Sequence, residues 1–278
     1  LKDTTGRAAN DLADINNQFG SPRCFESLPY FANKPVIEGG IVQSGLSSIF
    51  TYYIQCEDSH HCAGYPRIVT PTSYNLTAAT EHLKLYNVKY FVAIWDQVKK
   101  DLNKSSEWNL VKKIKDYEIY ELTTNNGKYI YVPENVPNLM KKDDWKIKSF
   151  NWYRDINNLD TPIVFVKKPD KESQERFSIR ISDLSELKKQ KINNNCTIRE
   201  EIKNEEIKFT TNCIGKPHII KISYFPNWKV EGADKIYLVS PDFMLVYPNQ
   251  KNVRIYYGWV WIDILSTVLS VIGVCIVL

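Results

Sequence analysis

From Gly258 to Leu278 the chain reads GWVWIDILSTVLSVIGVCIVL, about 20 residues with a single charge, Asp263, near the start. A helix of that length matches the roughly 30 Å hydrocarbon core of a bilayer, so the run is expected to be a transmembrane helix. Tyr256, Tyr257, Trp259 and Trp261 cluster where it begins, as amphipathic rings do at headgroup level, while Gly273 and Ser266 are ordinary inside a membrane helix. The competing reading, a buried core helix, suits shorter runs with more polar interruption. The chain opens at Leu1 without Met or a signal peptide and closes inside the apolar run without a basic flank. A piece of a longer protein is therefore expected.

Residues 1–257 are enough for two compact domains or one large one. With 43% hydrophobic and 13% aromatic residues, cores can form. The net charge of +4 comes from Lys and Arg scattered among nearly as many acids, which leaves no basic stripe of the kind a phosphate backbone requires. Nucleic acid is therefore not an expected partner. The densest basic patches, Lys112, Lys113 and Lys115 and then Lys188, Lys189 and Lys191, alternate with apolar residues and read as solvated faces.

The cysteines place the chain relative to the membrane. Cys56 and Cys62 bracket a short polar loop, CEDSHHC, and Cys196 and Cys213 bracket a strand-like run whose ends can meet in a hairpin. Two local disulfides are expected, which puts residues 1–257 in an oxidising, extracytoplasmic compartment. The rival for the first pair is a metal site with His60 and His61. Adjacent histidines on so short a loop do not easily both turn inward with both thiolates, and neither C-x2-C spacing nor a distant His pair is present. No metal site is expected in the chain. Sequons at Asn75, Asn103 and Asn195 are candidate glycosylation sites compatible with an external location.

Periodicity divides the remainder. Residues 1–168 begin irregularly and then settle into alternating elements: a helix over 77–87, a strand over 88–94, a helix over 95–104, strands in NLVKKI and YEIYELT, and a turn at 125–127 into a strand over 128–132. Residues 169–257 are almost all strand, with candidates at 176–182, 205–212, 218–225, 235–240, 243–248 and 252–258 separated by Pro, Gly, Asn and Asp turns. The expected fold class is α+β. It comprises a small mixed α/β domain over 1–168, an antiparallel β-sandwich over 169–257 and the transmembrane helix over 258–278, whose direct junction sets the sandwich against the bilayer surface.

The succession CFESLPYFANKPVIEGG, HLKLYNVKYFVA, a strand pair ending YEIYEL, then YFPNWKVEG and NVRIYYG before the apolar run resembles the external C-terminal region of YfhO-type and archaeal GT-C-like polytopic membrane proteins. The resemblance covers nearly the whole chain and rests on short structural motifs. It implies many helices upstream and a membrane glycosyltransferase that uses a lipid-phosphate-linked sugar donor. The catalytic acid, and any divalent metal, would then lie at a membrane site upstream of this chain, and no cofactor is implied within it. The WWDYG-like run of archaeal oligosaccharyltransferases is absent.

The residues themselves present no complete active site. Glu38, Glu57, Asp58 and Asp242 are acids in loop-like contexts, and two carboxylates across a sugar can do glycosidic work, but nothing in their spacing brings them together. Asp11, Asp14, Arg7 and Arg23 read as surface pairs, and His82 and His218 as structural. No phosphate loop, G-x-S-x-G elbow or H-E-x-x-H occurs. Candidate sugar-binding residues are Glu38, Tyr30, Tyr65 and Trp228, with Phe31 alongside, because flat rings stack on sugar faces. Two readings follow: the external domain of a GT-C-like glycosyltransferase holding a lipid-linked sugar or glycan acceptor, or a non-catalytic membrane-anchored surface module binding glycans or a partner protein. A hydrolase built on Glu38 is a weaker third.

Overall fold

The computed structural model describes residues 4–37, 45, 47–60 and 72–277. Strand β1 (Arg7–Asn10) leads through two short 3-10 turns to helix α1 (Leu28–Ala32), then α2 (Ser48–Asp58) and α3 (Leu76–Leu85). Strand β2 (Val88–Ala93), helix α4 (Asp96–Lys104) and the hairpin of β3 (Trp108–Ile114) and β4 (Tyr117–Leu122) complete a four-stranded sheet of order β1-β2-β4-β3. Helices α3 and α4 form where the periodic runs predict them, whereas α1 and α2 arise from the stretch read as irregular, and α2 carries Glu57 and Asp58, which were read as loop acids. Asn75 starts α3 by accepting a hydrogen bond from the Ala78 amide at 3.1 Å, the usual N-cap role of Asn. In α4, Val98 and Leu102 are buried one turn apart while the opposite face stays wet.

The chain then supplies β5 (Ile130–Tyr131), β6 (Asn138–Lys141), helix α5 (Trp145–Arg154), β7 (Ile163–Val166) and the short helix α6 (Lys171–Arg176). Next come β8 (Ile198–Ile202), β9 (Glu206–Thr211), β10 (His218–Ser223), β11 (Trp228–Glu231), β12 (Tyr237–Val239), β13 (Phe243–Val246), β14 (Asn252–Tyr257) and the C-terminal helix α7 (Trp261–Val277). A six-stranded sheet of order β5-β10-β13-β12-β7-β6 takes strands from both sides of residue 168, and a four-stranded antiparallel sheet of order β11-β14-β9-β8 packs against it.

Alternation explains why the six-stranded sheet is buried on both faces. Along β13, Phe243 and Leu245 enter the core shared with the helices, whereas Met244 and Val246 enter the core facing the second sheet, as a period of two requires. Ile207, Phe209, Val253 and Ile255 close that second core from the opposite sheet, giving the face-to-face layering of a sandwich. On the other side, Phe50, Tyr53, Phe150 and Tyr153 form a cluster of edge-to-face, tilted and stacked rings with centroids 5.2–6.5 Å apart. Tyr86 meets Phe243 at 5.2 Å, fastening the helical layer to the six-stranded sheet.

Three expectations change. Residues 176–182 form no strand: α6, capped by Asp170 through the Ser173 amide at 2.8 Å, takes Arg176. Only an isolated bridge between Leu139 and Arg180 remains. Strand β11 was not anticipated, and it depends on Gly232 just after it. At φ +83°, a Cβ on Gly232 would lie 2.2 Å from the Asn252 carbonyl oxygen, so only glycine fits. The apolar run over 258–278 yields a helix of 17 residues, and among the described residues no helix is long and apolar enough to cross a membrane. Its first residues join the sandwich instead. The Gly258 amide donates to the Asn227 carbonyl at 3.0 Å, and the Val260 amide to Asp263 Oδ2 at 2.8 Å.

Candidate functional site

Of the predicted sugar-binding residues, Tyr30 and Trp228 are described, on the separate elements α1 and β11. Glu38 and Tyr65 lie outside the described residues. Tyr30 stands on α1, 86% exposed and edge-to-face with Phe31 at 5.0 Å. Trp228 is half-buried on β11, edge-on to Tyr257 at 5.5 Å and packed on the core between the sheets. Phe31 lines an apolar groove of about 940 Å³ with Phe19, Cys24, Phe25, Val92 and Tyr117.

Of the cysteines, Cys196 and Cys213 form the expected disulfide across the β8–β9 hairpin. Cys56 is disulfide-bonded, and its expected partner Cys62 lies outside the described residues. A cysteine so engaged is no metal ligand, and the His60 ring lies tilted against Trp95 with centroids 5.0 Å apart. Among the described residues no group of three His, Cys, Asp or Glu is placed to hold a metal ion. The side chains of Asn75, Asn103 and Asn195 are all exposed, although Asn103 Nδ2 donates to the Tyr120 hydroxyl at 2.8 Å.

The buried polar groups hold the fold together. His82 Nε2 donates to the Tyr153 carbonyl at 2.9 Å, and Nδ1 lies 2.6 Å from Glu57 Oε2. Burial raises the Glu57 pKa above the usual range. With side chains 0% and 3% exposed, this pair meets no substrate. Asp11 accepts from the Ile94 and Trp95 amides at 2.9–3.1 Å, and burial raises its pKa to about 6. Ser47 Oγ donates to Asp242 Oδ2 at 2.5 Å and lies 2.9 Å from Ser223 Oγ, tying the start of α2 to the six-stranded sheet.

Two cations meet the C-terminal end of α3. Lys221 lies on the same face of β10 as Ile219, turned toward the helical layer, and its Nζ donates to the Lys84 carbonyl at 2.8 Å. Arg7 donates to the carbonyls of Tyr86 at 2.8 Å and Lys221 at 2.9 Å. Both therefore satisfy the carbonyls and partial negative charge at a helix end. Burial, with Arg7 nearby, lowers the Lys221 pKa to about 7. The sequence signal for this contact is the single Lys in the apolar strand HIIKIS.

The base of the sandwich carries the most unusual surface. On α7, Trp261, Ile262, Ile264, Leu265, Val268, Leu269, Val271, Ile272, Val274 and Ile276 are between 46% and 79% exposed, far more apolar surface than a soluble helix presents. Its hydroxyls turn back on the helix: Ser266 and Thr267 donate to the Asp263 carbonyl at 2.9 and 2.8 Å, and Ser270 to the Ser266 carbonyl at 2.8 Å. Such bonds leave none of its side-chain hydroxyls dependent on water. At its start, Asp263 Oδ2 accepts from Asn227 Nδ2 and from the Val260 amide, both at 2.8 Å. The helix is therefore clamped to the β10–β11 turn.

Fold and base together describe a mixed α+β body with a sandwich-like pair of sheets from which one apolar helix projects. No family model matches this chain, and no curated protein or solved structure matches it.

Proposed function

We propose that this chain is an extracytoplasmic module held at a membrane by α7, contributing binding surface to the protein it belongs to and no bond-making chemistry of its own. The observation that carries this reading is the projecting helix, with ten large apolar side chains at least 46% exposed and its hydroxyls bonded internally. The 17-residue helix itself falls short of a span, so the reading takes the whole apolar run of the sequence, Gly258 to Leu278, as the anchor. The disulfide-bonded cysteines support the extracytoplasmic side. The sharper version, drawn from the resemblance alone, makes the module the external domain of a GT-C-like glycosyltransferase, holding a lipid-linked sugar or its acceptor over a catalytic site upstream.

The test is membrane fractionation joined to topology labelling. The chain should stay in the membrane pellet after carbonate extraction, and Val268→Lys with Leu269→Lys should release it. A cysteine placed at the exposed Lys113 should react with a membrane-impermeant maleimide in intact cells. Equal release of parent and variant would sink the anchor, and labelling only after lysis would reverse the orientation.

A further inference from the structure

We infer that the β10–β11 turn, Phe225-Pro226-Asn227, is a second contact with the lipid headgroup layer, so that the sandwich stands on the bilayer surface. The inference rests on the reading of α7 as a membrane helix and adds a surface that is remote from it in sequence. The turn, with Lys229 of β11 beside it, meets the start of α7 and the residues leading into it through four contacts. Phe225 stacks on Tyr257 with centroids 6.1 Å apart and planes 23° apart. Gly258 N–H donates to the Asn227 carbonyl at 3.0 Å, Asn227 Nδ2 to Asp263 at 2.8 Å, and Lys229 Nζ to the Trp259 carbonyl at 2.9 Å. Phe225, Tyr257, Trp259 and Trp261 are 43%, 41%, 61% and 73% exposed. Three of these rings arrive with the helix, and the fourth is brought to them by the fold.

A lipid surface fits this collar better than a protein partner does. The rings continue directly into the exposed apolar side chains of α7, and Trp and Tyr concentrate where hydrocarbon meets headgroups. The carboxylate at the base is already engaged: Asp263 accepts from Asn227 and Val260. Charged residues beside the collar are Glu205, whose carbonyl accepts from the Tyr257 amide at 2.9 Å, and Lys229, whose stem and Nζ lie 3.1–3.2 Å from where a Gly258 Cβ would stand. A cation beside a belt of rings suits phosphate headgroups.

The experiment places one spin label at a time on the full chain, reconstituted in phosphatidylcholine–phosphatidylglycerol nanodiscs, with Cys24→Ser and Cys275→Ser to remove the free thiols. Labels go on Pro226→Cys, Leu269→Cys and Lys113→Cys, and oxygen and nickel-chelate accessibilities give their depths. Position 269 is expected in hydrocarbon, 226 at headgroup depth and 113 in water. If 226 reads as aqueous as 113 while 269 lies in hydrocarbon, the foot is wrong and the anchor stands; if 269 is aqueous, both fall. Should Pro226→Cys disturb the turn, Phe225→Trp with headgroup-depth brominated lipids supplies the same measurement. Quenching beyond that of the parent supports the contact, and unchanged quenching overturns it.

Discussion

Asn227 Nδ2 donates to Asp263 Oδ2 across 2.8 Å, joining a sandwich turn to the first helical turn of α7 over 36 residues of chain. Asp263 also accepts from the Val260 amide, so one carboxylate caps the helix and fixes its direction of departure. Asp263→Ala should cost about 1–2 kcal/mol, while Asp263→Asn, which still offers an acceptor, should cost less. Hydrogen exchange of the amides from Val260 to Ile264 checks this, and equal protection in parent and Asp263→Ala would refute the clamp.

The Glu57–His82 pair is sealed between α2, α3 and α5. Removing one partner strands a buried polar group, so Glu57→Ala and His82→Ala should each lose about 3 kcal/mol. Glu57→Gln can donate to a neutral His82 Nδ1 and should lose under about 1.5 kcal/mol. Urea titrations in detergent read the difference. If Glu57→Gln is as damaging as Glu57→Ala, the hydrogen-bond account fails.

Lys221 titrates near pH 7 in the fold against 10.5 in the open chain. Between those values the unfolded chain holds a proton that the native chain has released, so this group makes stability rise with pH, and its penalty is complete below pH 7. Lys34, lowered to about 8 by burial, acts in the same sense over a narrower window. Denaturation midpoints from pH 7 to 9.5 should therefore climb in the parent and climb less steeply in Lys221→Met. Parallel profiles would show that Lys221 is not the group responsible.

The Cys196–Cys213 disulfide closes the β8–β9 hairpin over a sequence separation of 17. Opening it with Cys196→Ser and Cys213→Ser should lower stability by about 3 kcal/mol, the loop-closure value for a ring of this size. The loss should concentrate in β8, whose Glu200 accepts from the Tyr129 and Ile130 amides at 2.8 and 2.9 Å. Calorimetry of the double variant gives the global effect, and exchange at those two amides gives the local one. An unchanged midpoint would contradict the assignment.

Much of the secondary structure was legible because local pattern carries it. HIIKIS, FMLV and NVRIYY alternate or run apolar and became β10, β13 and β14. The hairpin joining Cys196 to Cys213 followed from cysteine spacing, and the helices over 76–85 and 96–104 from apolar residues one turn apart. Strand β11 was missed because WKVE is too short and charged to stand out, and 176–182 was over-read because alternation in RFSIRIS shows which residues are buried, not that a partner strand exists. The same limit holds for the candidate sugar-binding residues: aromatic type is visible in sequence, and proximity is not.

The sequence by itself determined the apolar run that became α7, the alternation that buries both faces of β13, and the cysteine pair of the second hairpin. Tertiary structure alone decided that β5, β6 and β7 share a sheet with β10, β12 and β13, that Lys221 and Arg7 meet the end of α3, and that Phe225 comes to rest on Tyr257. The physical reason is range. Periodicity within one segment states which of its faces must leave water, whereas the surface that covers that face is chosen by packing between residues far apart in the chain.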